Sequence, residues 1–274
     1  MTPTTARPAD RRGKFIRAMR AVRDTGGRLL AFRFVSTAPD PPSDAAPPAR
    51  GPGDGTYANA YFETRLAMDA NRSKVWRHLC RYLSRWIRPE DEVLELGAGW
   101  CDFANHVQAR RVVAMDLDAT VQRAAASHVT AVVGDCTDLD RFGTDSFDVV
   151  FASNLLEHLT RDDSARLLAG ARRVLRAGGR LILMQPNFRL NPGRYFDDFT
   201  HVAIYTDQSL SDYLVSQGWV VDTVLARFLP LTLKSKGSNL TFLVPWYLRS
   251  PVKPLAGQML VVATVPRGGE HVER

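Results

Sequence analysis

Five short runs of β-branched and apolar residues, Glu92 to Leu96, Arg111 to Asp116, Thr130 to Val133, Phe147 to Ala152 and Gly179 to Met184, alternate with stretches of helical periodicity. A chain patterned this way builds βαβ units, because each strand is too apolar to face water on either side and must be covered by helices. Right-handed crossovers then bring the C-terminal ends of all parallel strands to one rim. Two further strands are read from the alternation Trp219, Val221, Thr223, Leu225 and from Gln258 to Val265. The expected fold class is α/β: a doubly wound, mostly parallel seven-stranded sheet with helices on both faces.

The helices carry their own punctuation. Val75, Leu79, Leu83 and Trp86/Ile87 form one apolar stripe, predicting a helix from Arg72 to Ile87 that Pro89 ends. Thr160 with Asp163 resembles a capping box, ahead of Leu167, Leu168, Ala171, Val174 and Leu175 on one face, and Gly178-Gly179 is expected to stop that helix. Thr206 or Asp207 can cap a further helix that Gly218 closes. The connection 228–257 is long for a link between two neighbouring strands.

Outside this pattern the composition changes. Residues 37–56 are rich in Pro, Gly, Ala and Asp and read as a linker, behind a segment in which Phe15, Ile16, Met19 and Val22 recur at helical spacing among arginines. The net charge of +7 sits at the ends: residues 1–50 hold ten Lys/Arg against four Asp/Glu, and residues 227–274 seven against two. Basic ends with interleaved Leu and aromatic residues, such as Leu229, Leu231, Leu233, Leu240, Trp246, Leu248, Lys234, Lys236 and Lys253, predict peripheral contact with an anionic membrane rather than with nucleic acid. No apolar run is long enough to span a bilayer and no secretory leader is evident, so a cytoplasmic location is expected, at most peripheral to the inner face of the membrane. Three cysteines, Cys80, Cys101 and Cys136, lack metal-ligand spacing, and neither a disulfide framework nor a metal is expected.

The chemistry concentrates between Glu95 and Asn154. Gly97 and Gly99 lie in the turn after the first strand, where they let the backbone bend sharply and approach a ligand, with the amides of a following helix facing it. A dinucleotide fingerprint needs a third glycine where this chain has Asp102, which would repel a pyrophosphate. Asp116 ends the second strand, where a carboxylate can hold both hydroxyls of a ribose, and Asp135 follows the third strand, where it can meet the amine of an adenine. A ligand with a ribose and an adenine but no phosphate is implied.

Taken in order, Glu95-Leu-Gly-Ala-Gly, Asp116, Gly134-Asp135, Phe147 to Asn154, Leu156-Glu-His-Leu159 and Arg173 to Gly179 resemble the class I S-adenosylmethionine-dependent methyltransferases, over about residues 60–227. The resemblance implies a Rossmann-like fold, with residues 1–56 as a basic segment and linker and 57–274 as the methyltransferase domain carrying the 228–257 insertion. It implies S-adenosylmethionine as cofactor, its methionine end against Glu95, Gly97, Ala98 and Gly99, its ribose on Asp116 and its adenine near Leu117, Asp135 and Cys136. Asn154 would face the reacting methyl. Two departures stand out: Cys101 replaces a frequent third glycine, and Ala177 a usual proline. Glu157 and His158 read as structural, closing the loop after the fourth strand.

Asn154-Leu-Leu-Glu157 lacks the Asn-Pro-Pro-aromatic sequence of class I enzymes that methylate amide or adenine nitrogens. Gln185 to His201 resembles the corresponding loop of bacterial methyltransferases of polysaccharide and cell-envelope glycan assembly. Tyr195, Phe196 and Phe199 could stack on a sugar while Arg194, Asp197 and Asp198 bond to its hydroxyls. The expected reaction is methyl transfer to a sugar or glycolipid hydroxyl, with His201 as general base and Asp198 as the second candidate catalytic residue. The alternatives are another small molecule, a lipid or quinone, or an inactive methyltransferase-like binding protein.

Overall fold

The computed structural model describes residues 70–230 and 240–266, all within the second of the chain's two units, Gly53–Arg274. The basic N-terminal helix, the linker and residues 231–239 lie outside the described residues. β1 (Glu92–Leu96), β2 (Arg111–Asp116), β3 (Val129–Val133), β4 (Phe147–Ser153), β5 (Leu175–Pro186), β6 (Val220–Leu225) and β7 (Gln258–Thr264) form one sheet in the order β3-β2-β1-β4-β5-β7-β6. The pairs from β3 through β5 are parallel, and β7 runs antiparallel to both β5 and β6. The expected fold class is what the chain adopts.

Strand residues alternate between two cores. Val93, Val112, Ala114, Val149, Phe151 and Ile182 face α1 (Ala70–Leu83) and α2 (Thr120–Ala124), whereas Leu94, Leu96, Val113, Val150, Leu181 and Leu183 face α3 (Arg161–Val174) and α4 (Asp207–Ser216). Each of these side chains is almost fully buried, and burying a Val, Leu, Ile or Phe contributes about 1.5–3 kcal/mol before entropy is counted. Period-two burial on both faces is why the strands read as unbroken apolar runs.

Element ends moved where local hydrogen bonding competes. α1 stops at Leu83, because the Trp86 and Ile87 N–H groups both turn back to the Leu83 carbonyl. α3 ends at Val174, ahead of Gly178-Gly179: Leu175 already pairs with Phe147 of β4, and the register slips so that Arg180 meets Val149. The two glycines lie in this irregular part of β5, and a Cβ at Gly179 would stand 2.7 Å from the Arg176 carbonyl. At α4 the cap is Thr206, in a full capping box with Ser209. At α3 Thr160 accepts the Asp163 N–H, but the Asp163 carboxylate returns to the Thr160 hydroxyl instead of its backbone.

The connection 228–257 holds a 3-10 turn, Leu240–Leu243, and α5 (Val244–Arg249). Leu229 and Leu248 are core residues, not surface anchors. Lys253 Nζ donates to the Leu248 carbonyl at 2.8 Å, closing the end of α5. Among the described residues no helix is long and apolar enough to cross a membrane.

Candidate active site

The strand order reverses between β1 and β4, and the loops leaving their C-terminal ends border the crevice where a doubly wound sheet binds its ligand. Gly97 (φ 68°) and Gly99 (φ 50°) are in the left-handed region that glycine enters without steric cost. A Cβ at Gly97 would stand 3.0 Å from Leu155 Cδ1, so the turn runs flush against the loop that leaves β4. Cys101 keeps the left-handed conformation, φ 55°, which costs a non-glycine residue about 1–2 kcal/mol. Its buried thiol, 3.6 Å from the Val121 carbonyl, packs the turn against α2.

Residues 100–106 form successive turns rather than the expected helix. The Asn105 and Val107 N–H groups reach back four residues, but the Ala104 N–H donates to Glu95 Oε2 at 3.0 Å, which interrupts the ladder. Burial pushes the Glu95 carboxyl well above its ordinary value, and the Ala104 bond opposes that push. Phe103, stacked on Phe151 of β4 at 3.9 Å between centroids, pins the segment to the sheet. Asp102 pairs with Arg72 of α1 at 2.6 Å.

Asp116, at the end of β2, meets the glycine turn. Its Oδ2 accepts the Gly99 N–H at 2.7 Å and its Oδ1 the Asp118 N–H at 2.9 Å. Burial raises its carboxyl above the ordinary value while these bonds pull it down. The Gly134 N–H donates to the Asp116 carbonyl at 2.9 Å, bringing the ends of β2 and β3 together. Leu117 is 72% exposed there and Asp135 is exposed, its Oδ1 accepting the Thr137 N–H at 2.8 Å. Cys136 is half-buried and its thiol is pushed up to about 12, by burial first and then by Asp135. An exposed apolar side chain beside a carboxylate and a left-handed glycine turn fits an adenine and ribose. Ala98 is buried in the wall of the turn, its N–H donating to the Met115 carbonyl.

Asn154, at the end of β4, is exposed with φ 49° and accepts from Gln258 Nε2 at 3.2 Å. Beyond it the chain enters a 3-10 turn, Leu156–His158. The Val202 and Ala203 N–H groups both donate to the Glu157 carbonyl, at 2.8 and 3.0 Å, which ties the loop after β5 to this turn. Tertiary structure thereby brings His201 to the adjacent pair Glu157 and His158. His158 Nε2 and His201 Nε2 each stand 4.0 Å from Glu157 Oε1, and the two rings are 4.9 Å apart. Burial pushes the Glu157 carboxyl up to about 8, with the nearby Asp198 charge acting in the same direction. Glu157 and His158 are adjacent in sequence and His201 is the expected general base, but nothing local links His201, 43 residues beyond His158, to that pair.

Asp198 Oδ1 accepts both the N–H (3.1 Å) and the hydroxyl (2.6 Å) of Thr200. Burial would raise this carboxyl, but the Thr200 bonds and the nearby imidazoles outweigh it and hold it below its ordinary value. The Thr200 hydroxyl in turn sits 2.9 Å from His158 Nδ1. Tyr195, expected to stack on an acceptor, is buried instead: its hydroxyl donates to the Ala203 carbonyl at 2.7 Å. Phe196 and Phe199 remain open, 56% and 67% exposed, and Arg194 pairs with Asp197 at 3.5 Å.

Residues 94–183 match the family model described as a methyltransferase domain. The chain carries a methyltransferase domain. The seven-stranded sheet around it is the fold that solved S-adenosylmethionine-dependent methyltransferases share. Solved structures share the fold at low identity. A methyltransferase from Haloferax volcanii, solved with its methyltransferase activator, is 17% identical, with 80% of this chain and 99% of that one covered and a TM-score of 0.57. An S-adenosylmethionine-dependent methyltransferase from Archaeoglobus fulgidus is 16% identical, covered over 76% and 99%, with a TM-score of 0.54. The cyclase SpnF is 16% identical, covered over 70% and 81%, at 0.53, so the fold by itself does not fix a reaction. No curated protein matches the chain.

Proposed function

We propose that this methyltransferase acts on a hydroxyl of a sugar or glycolipid-type acceptor that sits against the loop after β5. The observation that carries the reading is the open aromatic pair Phe196 and Phe199 on a loop that also holds His201 at the rim of the cofactor crevice. Aromatic faces suit the apolar faces of a pyranose, and the adjacent Arg194 and Asp197 can bond to its hydroxyls.

When bound, S-adenosylmethionine supplies a methyl group on a positively charged sulfur. Asp116 would hold the ribose, Leu117 and Asp135 the adenine, and Gly97 and Gly99 the methionine end. Methyl transfer needs mainly alignment and exclusion of water. A hydroxyl acceptor must also lose its proton, and His201 is the residue of the loop suited to receive it. The His201 Nδ1 lies 2.6 Å from the Tyr195 carbonyl; because a carbonyl only accepts, Nδ1 carries hydrogen and Nε2 is the basic nitrogen.

Incubation with methyl-labelled cofactor and fractionated cell-envelope extract tests the acceptor. Label in a glycan or glycolipid supports the reading. Label confined to quinone, to glycan-free lipid or to protein rejects it.

We also propose that the surface of α5 and its flanking turns contacts anionic membrane. Phe242, Trp246, Val252 and Leu255 are 63%, 76%, 70% and 88% exposed, and Arg249 stands exposed among them. Apolar groups with a cation among them suit the interface of an anionic bilayer.

A further inference from the structure

Glu157 presents an unusual problem in electrostatics. Its side chain is 1% exposed, and among the described residues neither carboxylate oxygen has a hydrogen-bond partner. A buried carboxyl group without hydrogen-bond partners costs several kcal/mol. What faces it is a pair of imidazoles. His201 Nδ1 lies 2.6 Å from the Tyr195 carbonyl, and His158 Nδ1 lies 3.3 Å from the Thr200 carbonyl and 2.9 Å from the Thr200 hydroxyl. That hydroxyl already donates to Asp198 at 2.6 Å, so toward His158 it accepts. Both rings are thus held with hydrogen on Nδ1 and the lone pair on Nε2, and both Nε2 atoms point at the same Glu157 oxygen from 4.0 Å.

We propose that Glu157, His158 and His201 bind a divalent transition-metal ion of the zinc, manganese or iron class. The three ligand atoms lie within 4.8 Å of one another. Ligands at about 2.0–2.2 Å in a tetrahedral shell stand about 3.4 Å apart, so each histidine–glutamate contact needs to close by about 0.6 Å and the two imidazoles by up to about 1.4 Å. Two imidazoles and one carboxylate form a donor set suited to these ions and leave at least one coordination position open. The outer contacts match as well: ligating histidines typically donate their second ring N–H to a carbonyl or a carboxylate-linked group, which is the role of Tyr195 for His201 and of Thr200 with Asp198 for His158. A cation there would also provide the charge partner that Glu157 otherwise lacks.

Its consequence for the reaction rests on the hydroxyl-acceptor reading above. Glu157 is three residues beyond Asn154, buried in the turn after β4 to which the loop after β5 is tied. A hydroxyl occupying the open position would become a stronger acid and could release its proton to solvent water before the methyl is transferred, and His201 would then hold the cation in place of taking the proton itself.

Metal-free full-length protein dialysed against Zn²⁺, with bound metal measured directly, tests the site independently of activity. The expected result is one ion per chain, a loss of affinity of tenfold or more in both Glu157→Gln and His201→Ala, and unchanged binding in His128→Ala, whose histidine is exposed elsewhere. Loading with Mn²⁺ and pulsed electron paramagnetic resonance on the unmutated chain gives a second readout, in which imidazole nitrogen couplings are expected. Substoichiometric zinc, unchanged affinity in either ligand variant, or manganese without nitrogen couplings overturns the proposal. Calorimetry of S-adenosylmethionine on the metal-free protein separates the two ideas: cofactor binding without metal binding sinks the metal site alone, and metal binding without transfer to any hydroxyl sinks the acceptor reading alone.

Discussion

The Asp116 carboxylate accepts the backbone N–H of Gly99 at 2.7 Å, so the acid at the end of β2 and the glycine turn after β1 form one preassembled wall. The same carboxylate was singled out in the sequence to hold a ribose. Its orientation is fixed by the turn it helps to shape.

Replacing Asp116 by alanine therefore removes a ligand contact and loosens the turn. S-adenosylmethionine affinity should fall by about 1.5–3 kcal/mol, the worth of hydrogen bonds to a charged group. Calorimetry checks this, and unchanged affinity would reject the site. Acid should act in the same direction on binding. The buried Asp116 titrates above the ordinary carboxylate value, so the ionised acceptor is lost, and affinity drops, at a higher pH than for an exposed aspartate. Stability of the cofactor-free protein runs the other way. The folded chain keeps this proton when the unfolded chain has released it, so the Asp116 contribution to stability declines as pH rises through the window between the two values.

Gly97→Ala places a methyl group 3.0 Å from Leu155 on a backbone of φ 68°. A loss of about 1–2 kcal/mol in thermal or denaturant stability is expected from the backbone conformation, together with weaker cofactor binding. Wild-type stability in this variant would show that the turn adopts another shape.

His201→Ala should lower turnover by roughly 10²-fold or more while leaving S-adenosylmethionine affinity intact, whether the imidazole takes a proton or holds a cation. Near-normal turnover would return His201 to a purely structural role.

Phe196→Ala and Phe199→Ala remove exposed rings, so stability should stay within about 0.5 kcal/mol. The effect expected is a raised KM for the acceptor with cofactor affinity unchanged. Equal acceptor KM in both variants would remove the aromatic pair from the acceptor site.

Trp246→Ser with Leu255→Ser in the full chain should reduce sedimentation with anionic liposomes at physiological salt. Equal binding by the variant and the parent chain would take α5 out of any membrane contact.

The alternation of strands and helices, the apolar character of β1, β2 and β4, and the positions of Gly97, Gly99, Asp116 and Asp135 were legible in the sequence. Each depends on local pattern: period-two apolar runs, glycines at a forced bend, an acid at a strand end. Where helices stop was less legible, because the register slip between β4 and β5 and the capture of the Ala104 N–H by Glu95 involve residues distant in the chain. Tyr195 and Phe196 look alike in sequence, yet one is buried and the other open, since only the path of the loop over Glu157 decides which ring meets solvent. The meeting of Glu157, His158 and His201 is likewise a product of tertiary structure. Two backbone N–H groups from the loop after β5 donate to one carbonyl in the turn after β4, and that contact, made across 45 residues of chain, brings the second imidazole to the buried carboxyl group.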